Sequence, residues 1–459
     1  MVDVLGQEQG DAALAPAAAT FTSDTQSLLG RTLVSLLDEA VERNPNPAAF
    51  RQQRNGVWES MSTEELRSRA LELAVGLTDL GLRNGDRVAF FCHSDTTFVL
   101  PDMACLMAGL VTVPIYLTHA PGNIRHILKE SGARALVVTD NERLDKVRPL
   151  SVGTAVEKVI LMEGEPGKAF GLQILSGREL GWVGSQLLAA EPERGEKLLA
   201  AVDAQDLATI IYTSGTTGTP KGVMLTHENI SSNVIGAFRG LEDFPRGPEE
   251  VSLSFLPLTH IFARMLNYGF MWYGTSVWFS DADRLSDHFK EVRPTLLATV
   301  PRVLERAFEK IMIKGSELEG AKRRIFDWSV ALARRYRVDA EPGGAYALSL
   351  RVADKLVYSK WRDALGGRLR FVIVGAAALR PELANIFGAA GVHVLQGYGL
   401  TETSPVVSFN RKRNNRAGTV GTVIDGVEVR VSDEGEILVR GPGVMRGYYL
   451  QDDETAKSM

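Results

Sequence analysis

An α/β fold with mostly parallel sheets is predicted for this chain, because short β-branched or aromatic runs alternate with helical patterns along most of its length. At 459 residues, 45% of them apolar, it exceeds one ordinary core, so two helix-covered subdomains are expected. From Gly418 the character changes: residues 427–431 and 436–440 flank Ser432-Asp433-Glu434-Gly435, a hairpin pattern that predicts a smaller β-rich subdomain, read as a distorted barrel. The expected division is a mobile tail over 1–30, α/β subdomains over 31–205 and 206–410, and the β-rich part over 411–459.

The elements follow from local pattern. The first thirty residues hold no lysine or arginine and break their alanine-rich stretch at Pro16, a pattern that argues against a secretory signal and predicts a mobile tail. Leu33, Leu36, Leu37, Ala40 and Val41 make a helical stripe. Ser62 with Glu65 reads as a capping box opening a second helix that ends at Gly81, before the turn Asn84-Gly85. Strand-like runs recur at 87–92, 111–116, 135–139 and 158–162, and a second series extends from Leu207 to about Leu395. The most hydrophobic stretch, 98–117, contains Pro101, Asp102 and Pro114 and splits into a buried helix and a strand rather than a membrane span. Net charge of −5 gives no basis for nucleic-acid binding. Cys92 and Cys105 lack metal spacing and read as reduced core residues of a cytoplasmic protein. Residues 321–337 carry six basic side chains against Asp327, with Ile325, Trp328, Ala331, Leu332 and Tyr336 able to share a face. Such a helix either packs with a solvated basic face or makes peripheral contact with an anionic membrane.

The chemistry starts at residues 212–222, Tyr-Thr-Ser-Gly-Thr-Thr-Gly-Thr-Pro-Lys-Gly, after the apolar run 207–212. Glycines that turn backbone N–H groups outward, hydroxyl donors and one lysine suit a polyphosphate. The P-loop of NTPases needs a Ser or Thr after its lysine, whereas Lys221 lies between Pro220 and Gly222. Thr213, Ser214, Gly215, Thr216, Thr217, Gly218 and Lys221 are therefore the candidate phosphate loop.

That loop resembles the signature of the adenylate-forming superfamily, and Gly397-Tyr398-Gly399-Leu400-Thr401-Glu402-Thr403 resembles the family's adenine and magnesium motif. Gly375-Ala376-Ala377-Ala378-Leu379 is similar to its small-residue turn against adenine, with Ala376 where a second glycine is usual. Pro257-Leu258-Thr259-His260 with Arg264, the run 300–306, Val113-Pro114-Ile115-Tyr116 and residues 360–369 look like long-chain fatty acyl-CoA synthetases, although Ala263 stands where those often carry glutamate. The resemblance implies attack of a fatty carboxylate on the α-phosphorus of ATP, then transfer of the acyl group to CoA. It assigns catalytic roles to Lys221, His260, Thr401 and Glu402, and Mg²⁺ to Glu402 and Thr213. AMP contacts fall to Gly375, Ala376, Ala377, Gln396, Gly397, Tyr398, Gly399, Leu400 and Thr401, and the acyl channel to His260 and Arg264. Family members continue to a ribose-binding aspartate and a small C-terminal domain with the adenylation lysine, so the chain is expected to be the large N-terminal domain, impaired in turnover. A fatty acyl-AMP ligase that loads a carrier protein, and a non-catalytic nucleotide- or acyl-binding module, stay open as alternatives.

Overall fold

The computed structural model describes residues 26–167, 172–214, 219–241 and 244–459. In chain order the strands are β1 (Phe50–Arg54), β2 (Val57–Met61), β3 (Arg87–Phe91), β4 (Val111–Pro114), β5 (Ala135–Val138), β6 (Lys158–Leu161) and β7 (Gln173–Ser176). They continue as β8 (Leu207–Ser214), β9 (Pro220–Thr226), β10 (Val251–Ser254), β11 (Ser276–Phe279), β12 (Leu296–Thr299), β13 (Phe371–Val374) and β14 (His393–Gly399). The last are β15 (Val406–Phe409), β16 (Thr422–Val423), β17 (Glu428–Val431), β18 (Ile437–Arg440) and β19 (Gly447–Tyr448).

Two large sheets result, ordered β19-β9-β8-β4-β3-β5-β6-β7 and β16-β15-β14-β13-β12-β10-β11-β1-β2. Their centres are parallel and antiparallel pairs lie toward their edges. Strands β4, β5 and β13 are buried at every position, as a parallel sheet covered on both faces requires. One core lies between the sheets, built on helices Leu33–Arg43, Thr63–Asp79, Thr96–Met107, His227–Arg239 and Ile261–Trp272. Separate clusters pack helices onto the outer faces, giving five alternating layers.

Half of the capping box forms at Ser62: its hydroxyl accepts from Glu65 N at 2.9 Å, while the Glu65 carboxylate pairs with Arg69 at 2.9 Å instead of returning to Ser62 N. The run 98–117 splits into helix Thr96–Met107 and β4. Cys92 and Cys105 are free and buried. Three expectations are corrected. A cut at 205/206 does not separate the sheets, because β8 and β9 join the sheet of β3–β7 while β1 and β2 join that of β10–β16; sequential neighbours here are not always sheet neighbours. The C-terminal part is no barrel: β16 and β19 are absorbed into the large sheets, and β17 and β18 alone form a hairpin. The tail boundary at 30 is too late, because Leu28 is fully buried and Gly30 N donates to Glu228 Oε2 at 2.6 Å; residues 1–25 lie outside the described residues.

Candidate active site

The site gathers at carboxyl ends of strands, where open α/β sheets place ligands. A cavity of about 350 Å³ is walled by Gly375 and Ala376 after β13, by Gly397, Tyr398 and Gly399 of β14, by Leu400, Thr401 and Glu402, and by Thr213 of β8 and His260. Its remaining wall is apolar: Ala237, Phe238, Leu241, Phe262, Met265, Leu266 and Ile373, with Pro405, Val406 and Phe409. Polar groups therefore converge at one part of a mostly hydrophobic chamber, the usual composition of a small-molecule site.

Close backbone approach shapes the polar part. A Cβ on Gly399 would sit 1.8 Å from Pro405 O, so only glycine lets residues 400–405 fold back over the strand end. Asn233 of helix His227–Arg239 clamps that turn, donating to Thr403 O at 3.1 Å and Val406 O at 2.8 Å and accepting from Val406 N at 3.1 Å. The carboxylate of Glu402 accepts from Tyr448 Oη at 2.8 Å. Burial and that carboxylate push the Tyr448 phenol up to about 12.

His260 caps helix Ile261–Trp272, its Nδ1 accepting from Phe262 N at 3.1 Å. An accepting Nδ1 puts the proton of the neutral ring on Nε2, and burial holds the imidazole below its usual pKa. His260 thus offers the cavity wall a neutral N–H donor.

Lys221 faces Thr213 across the β8–β9 pair but does not line the cavity. Its ammonium is ion-paired to Glu454 and lies 5.5 Å from the Tyr448 ring centroid. The hydrogen bond from Lys221, with Lys457, holds the Glu454 carboxyl down to about 2. Lys221 and Glu402 thereby meet around one tyrosine. Gly215, Thr216, Thr217 and Gly218 lie outside the described residues, as does the side chain of Ser214. Ala377 and Gln396 stand outside the lining; Ala377 is exposed, and the carbonyl of Gln396 accepts from Asn410 N at 2.8 Å.

Arg264 is corrected. It is 1% exposed and turned away from the cavity into a polar knot between the sheets, paired with Asp102. It also donates to Tyr268 Oη at 2.9 Å, Thr209 Oγ1 at 2.9 Å and Thr112 Oγ1 at 2.8 Å. Helix Ile261–Trp272 is buried on nearly every face, so a charge four residues past the cap must find an internal counter-ion. Asp102, the one acid in the run 98–117, was the available signal. The cavity residues of helices His227–Arg239 and Ile261–Trp272 went unseen because their spacing is that of any core stripe.

A profile of the AMP-binding enzyme family matches residues 37–449. The chain belongs to this family. It is 32% identical over 436 residues to the long-chain-fatty-acid-CoA ligase FadD15 of Mycobacterium bovis, covering 93% of this chain and 70% of that protein. Long-chain-fatty-acid-CoA ligase 6 of Mus musculus is 30% identical over 431 residues, and the match covers 88% of this chain and 59% of the mouse protein. Among solved structures, a long-chain-fatty-acid-CoA ligase (FadD1) from Archaeoglobus fulgidus superposes with a TM-score of 0.68 at 22% identity over 93% of this chain and 78% of that one. VinN in complex with L-aspartate gives 0.66 at 19% over 93% of each. At such identities the likeness carries the fold of AMP-binding enzymes and leaves the substrate to the cavity.

Proposed function

We propose that this chain is an enzyme that activates long-chain fatty acids: ATP and the acid meet in the cavity, the carboxylate attacks the α-phosphorus, pyrophosphate leaves, and CoA then takes the acyl group from acyl-AMP. The observation that carries this reading is the single chamber in which the motif residues 397–402 share a wall with Phe238, Leu241, Met265 and Leu266. An aliphatic chain lying along that wall gains about 0.8 kcal/mol per buried methylene. The relatives' names support the same substrate.

Positioning and charge stabilisation carry such a transfer, with no covalent protein nucleophile. Tyr398 and the turn at Gly375 would flank the adenine, and the neutral Nε2–H of His260 would hold an oxygen of the reacting carboxylate. Lys221 would meet the phosphates after exchanging its pairing with Glu454. Glu402, beside Thr213 in the cavity wall, would hold Mg²⁺, whose shell would be filled mainly by phosphates and water. That ion would neutralise charge on the phosphate oxygens. Among the described residues no helix is long and apolar enough to cross a membrane, and the two buried thiols support a cytoplasmic place.

Calorimetric titration with non-hydrolysable palmitoyl-, benzoyl- and acetyl-adenylate analogues tests this. The palmitoyl compound should bind at least tenfold more tightly than either other. Preference for the aryl or acetyl compound would overturn the acyl assignment, and binding of none would overturn the adenylate site.

A further inference from the structure

The helix Gly320–Arg335 and the helix Gly344–Ala353, which runs on through a π-turn at Asp354–Tyr358, pack antiparallel. Tyr346 Oη donates to Leu332 O at 3.0 Å, Tyr358 Oη donates to Ser329 O at 2.7 Å, and the rings of Phe326 and Trp361 lie 6.4 Å apart. Their inward faces are ordinary core: Phe326, Val330 and Ala333 on one, Leu350, Ala353 and Val357 on the other. The apolar face expected from the sequence is split by this packing, since Leu332 turns inward. Ile325 and Trp328 stay 38% and 39% exposed.

The second helix adds what the sequence reading lacked. Leu348, Val352 and Leu356, spaced by four, are 61%, 44% and 42% exposed, a row of aliphatic side chains on the solvent side of a helix whose core face is already filled. Burial in this chain does not account for that row. Charge completes the pattern. The acids carried by the two helices, Asp327 and Asp354, are paired to Arg323 and Arg362. Lys322, Arg324, Arg351 and Lys355 are exposed or nearly so and make no ion pair among the described residues, so the charge left over around the apolar rows is positive. The whole chain, in contrast, is at −5.

We propose that this two-helix face docks on the surface of an anionic lipid bilayer. Trp328 and the row Leu348-Val352-Leu356 enter the headgroup boundary while the lysines and arginines stay among the lipid phosphates. Aliphatic and aromatic anchors ringed by uncompensated cations match that interface in both chemistry and sign. The choice of a bilayer over an acidic protein rests on the fatty-acid reading above, because the substrate partitions into lipid.

Co-sedimentation with phosphatidylcholine vesicles, with and without phosphatidylglycerol, tests the proposal on the full chain. Binding is expected only with the anionic lipid. It should weaken at least tenfold in high salt, and equally in the double variant Leu348→Glu, Val352→Glu, whose sites are exposed and whose thermal unfolding should be unchanged. Trp328 emission should shift to the blue on binding, judged against Trp328→Phe. No sedimentation, or equal binding by the double variant, would overturn the proposal. So would a lipid-free dimer that this variant abolishes, which would make the face a self-association surface. The palmitoyl-adenylate analogue should bind the double variant as it binds the parent chain; a parent chain that binds the analogue but no anionic vesicle would sink the docking face and leave the acyl assignment standing.

Discussion

Ala376 sits in the turn after β13 at φ +67°, a left-handed conformation that glycine adopts freely and alanine does not. The sequence identified the departure from glycine; only the backbone angle shows that it is strained. Ala376→Gly should stabilise the fold by about 1 kcal/mol, measurable as a raised urea midpoint at constant slope, and a lowered midpoint would mean that the methyl group packs usefully. Glu402 carries a different prediction. Its carboxylate also anchors Tyr448, so Glu402→Gln keeps an acceptor for the phenol while losing the charge that Mg²⁺ requires. ATP affinity should fall at least tenfold when measured with Mg²⁺ and hardly change without it; an equal loss under both conditions would assign Glu402 to the nucleotide itself. Glu402 stands out in the sequence and lies in the cavity wall, whereas Lys221, equally conspicuous in the sequence, lies on β9 outside that wall and paired with Glu454. Asn233 was not legible beforehand, because an asparagine in mid-helix gives no sign of the turn it will hold.

Among elements, the central ones are fixed by a few buried polar groups. The Asp102–Arg264 pair ties helix Thr96–Met107 to helix Ile261–Trp272, whose cap is His260, and reaches both β4 and β8 through Thr112 and Thr209. Asp102→Ala leaves the guanidinium buried and uncompensated and should cost about 3–5 kcal/mol. Urea unfolding measures it, and a loss below about 1 kcal/mol would mean that water reaches the site. His227, at the start of helix His227–Arg239, is held down to about 4 by burial, with Nδ1 accepting from Leu33 N at 3.3 Å. An unfolded histidine protonates near pH ~6.5, so between there and about 4 the unfolded chain binds the extra proton. Stability should therefore be full at neutral pH and fall as the pH drops through that window, by on the order of 3 kcal/mol. His227→Gln should flatten the fall, and an unaltered profile would locate the acid sensitivity elsewhere. Strand positions and the capping at Ser62 could be read beforehand because they are local. Sheet membership could not: β1, paired locally with β2, pairs across more than 200 residues with β11, and no short-range pattern records that.

For the molecule as a whole, the five layers bring strand ends of one sheet, a β-hairpin of the other and two helices between them to one chamber. Sequence motifs located the polar wall of that chamber; the apolar wall needed the packed fold, since Ala237, Phe238 and Met265 are spaced like any core residues. The central claim is that nucleotide and acyl chain share this one cavity. Ala237→Phe tests it, because the new ring must grow into the space beside the acyl wall while the AMP contacts stay as they are. Calorimetric titration of parent and variant with AMP and with the palmitoyl-adenylate analogue is the measurement. The account predicts an unchanged affinity for AMP and at least a tenfold loss for the palmitoyl analogue; equal affinity of both proteins for the analogue would place the acyl chain outside this cavity and contradict it.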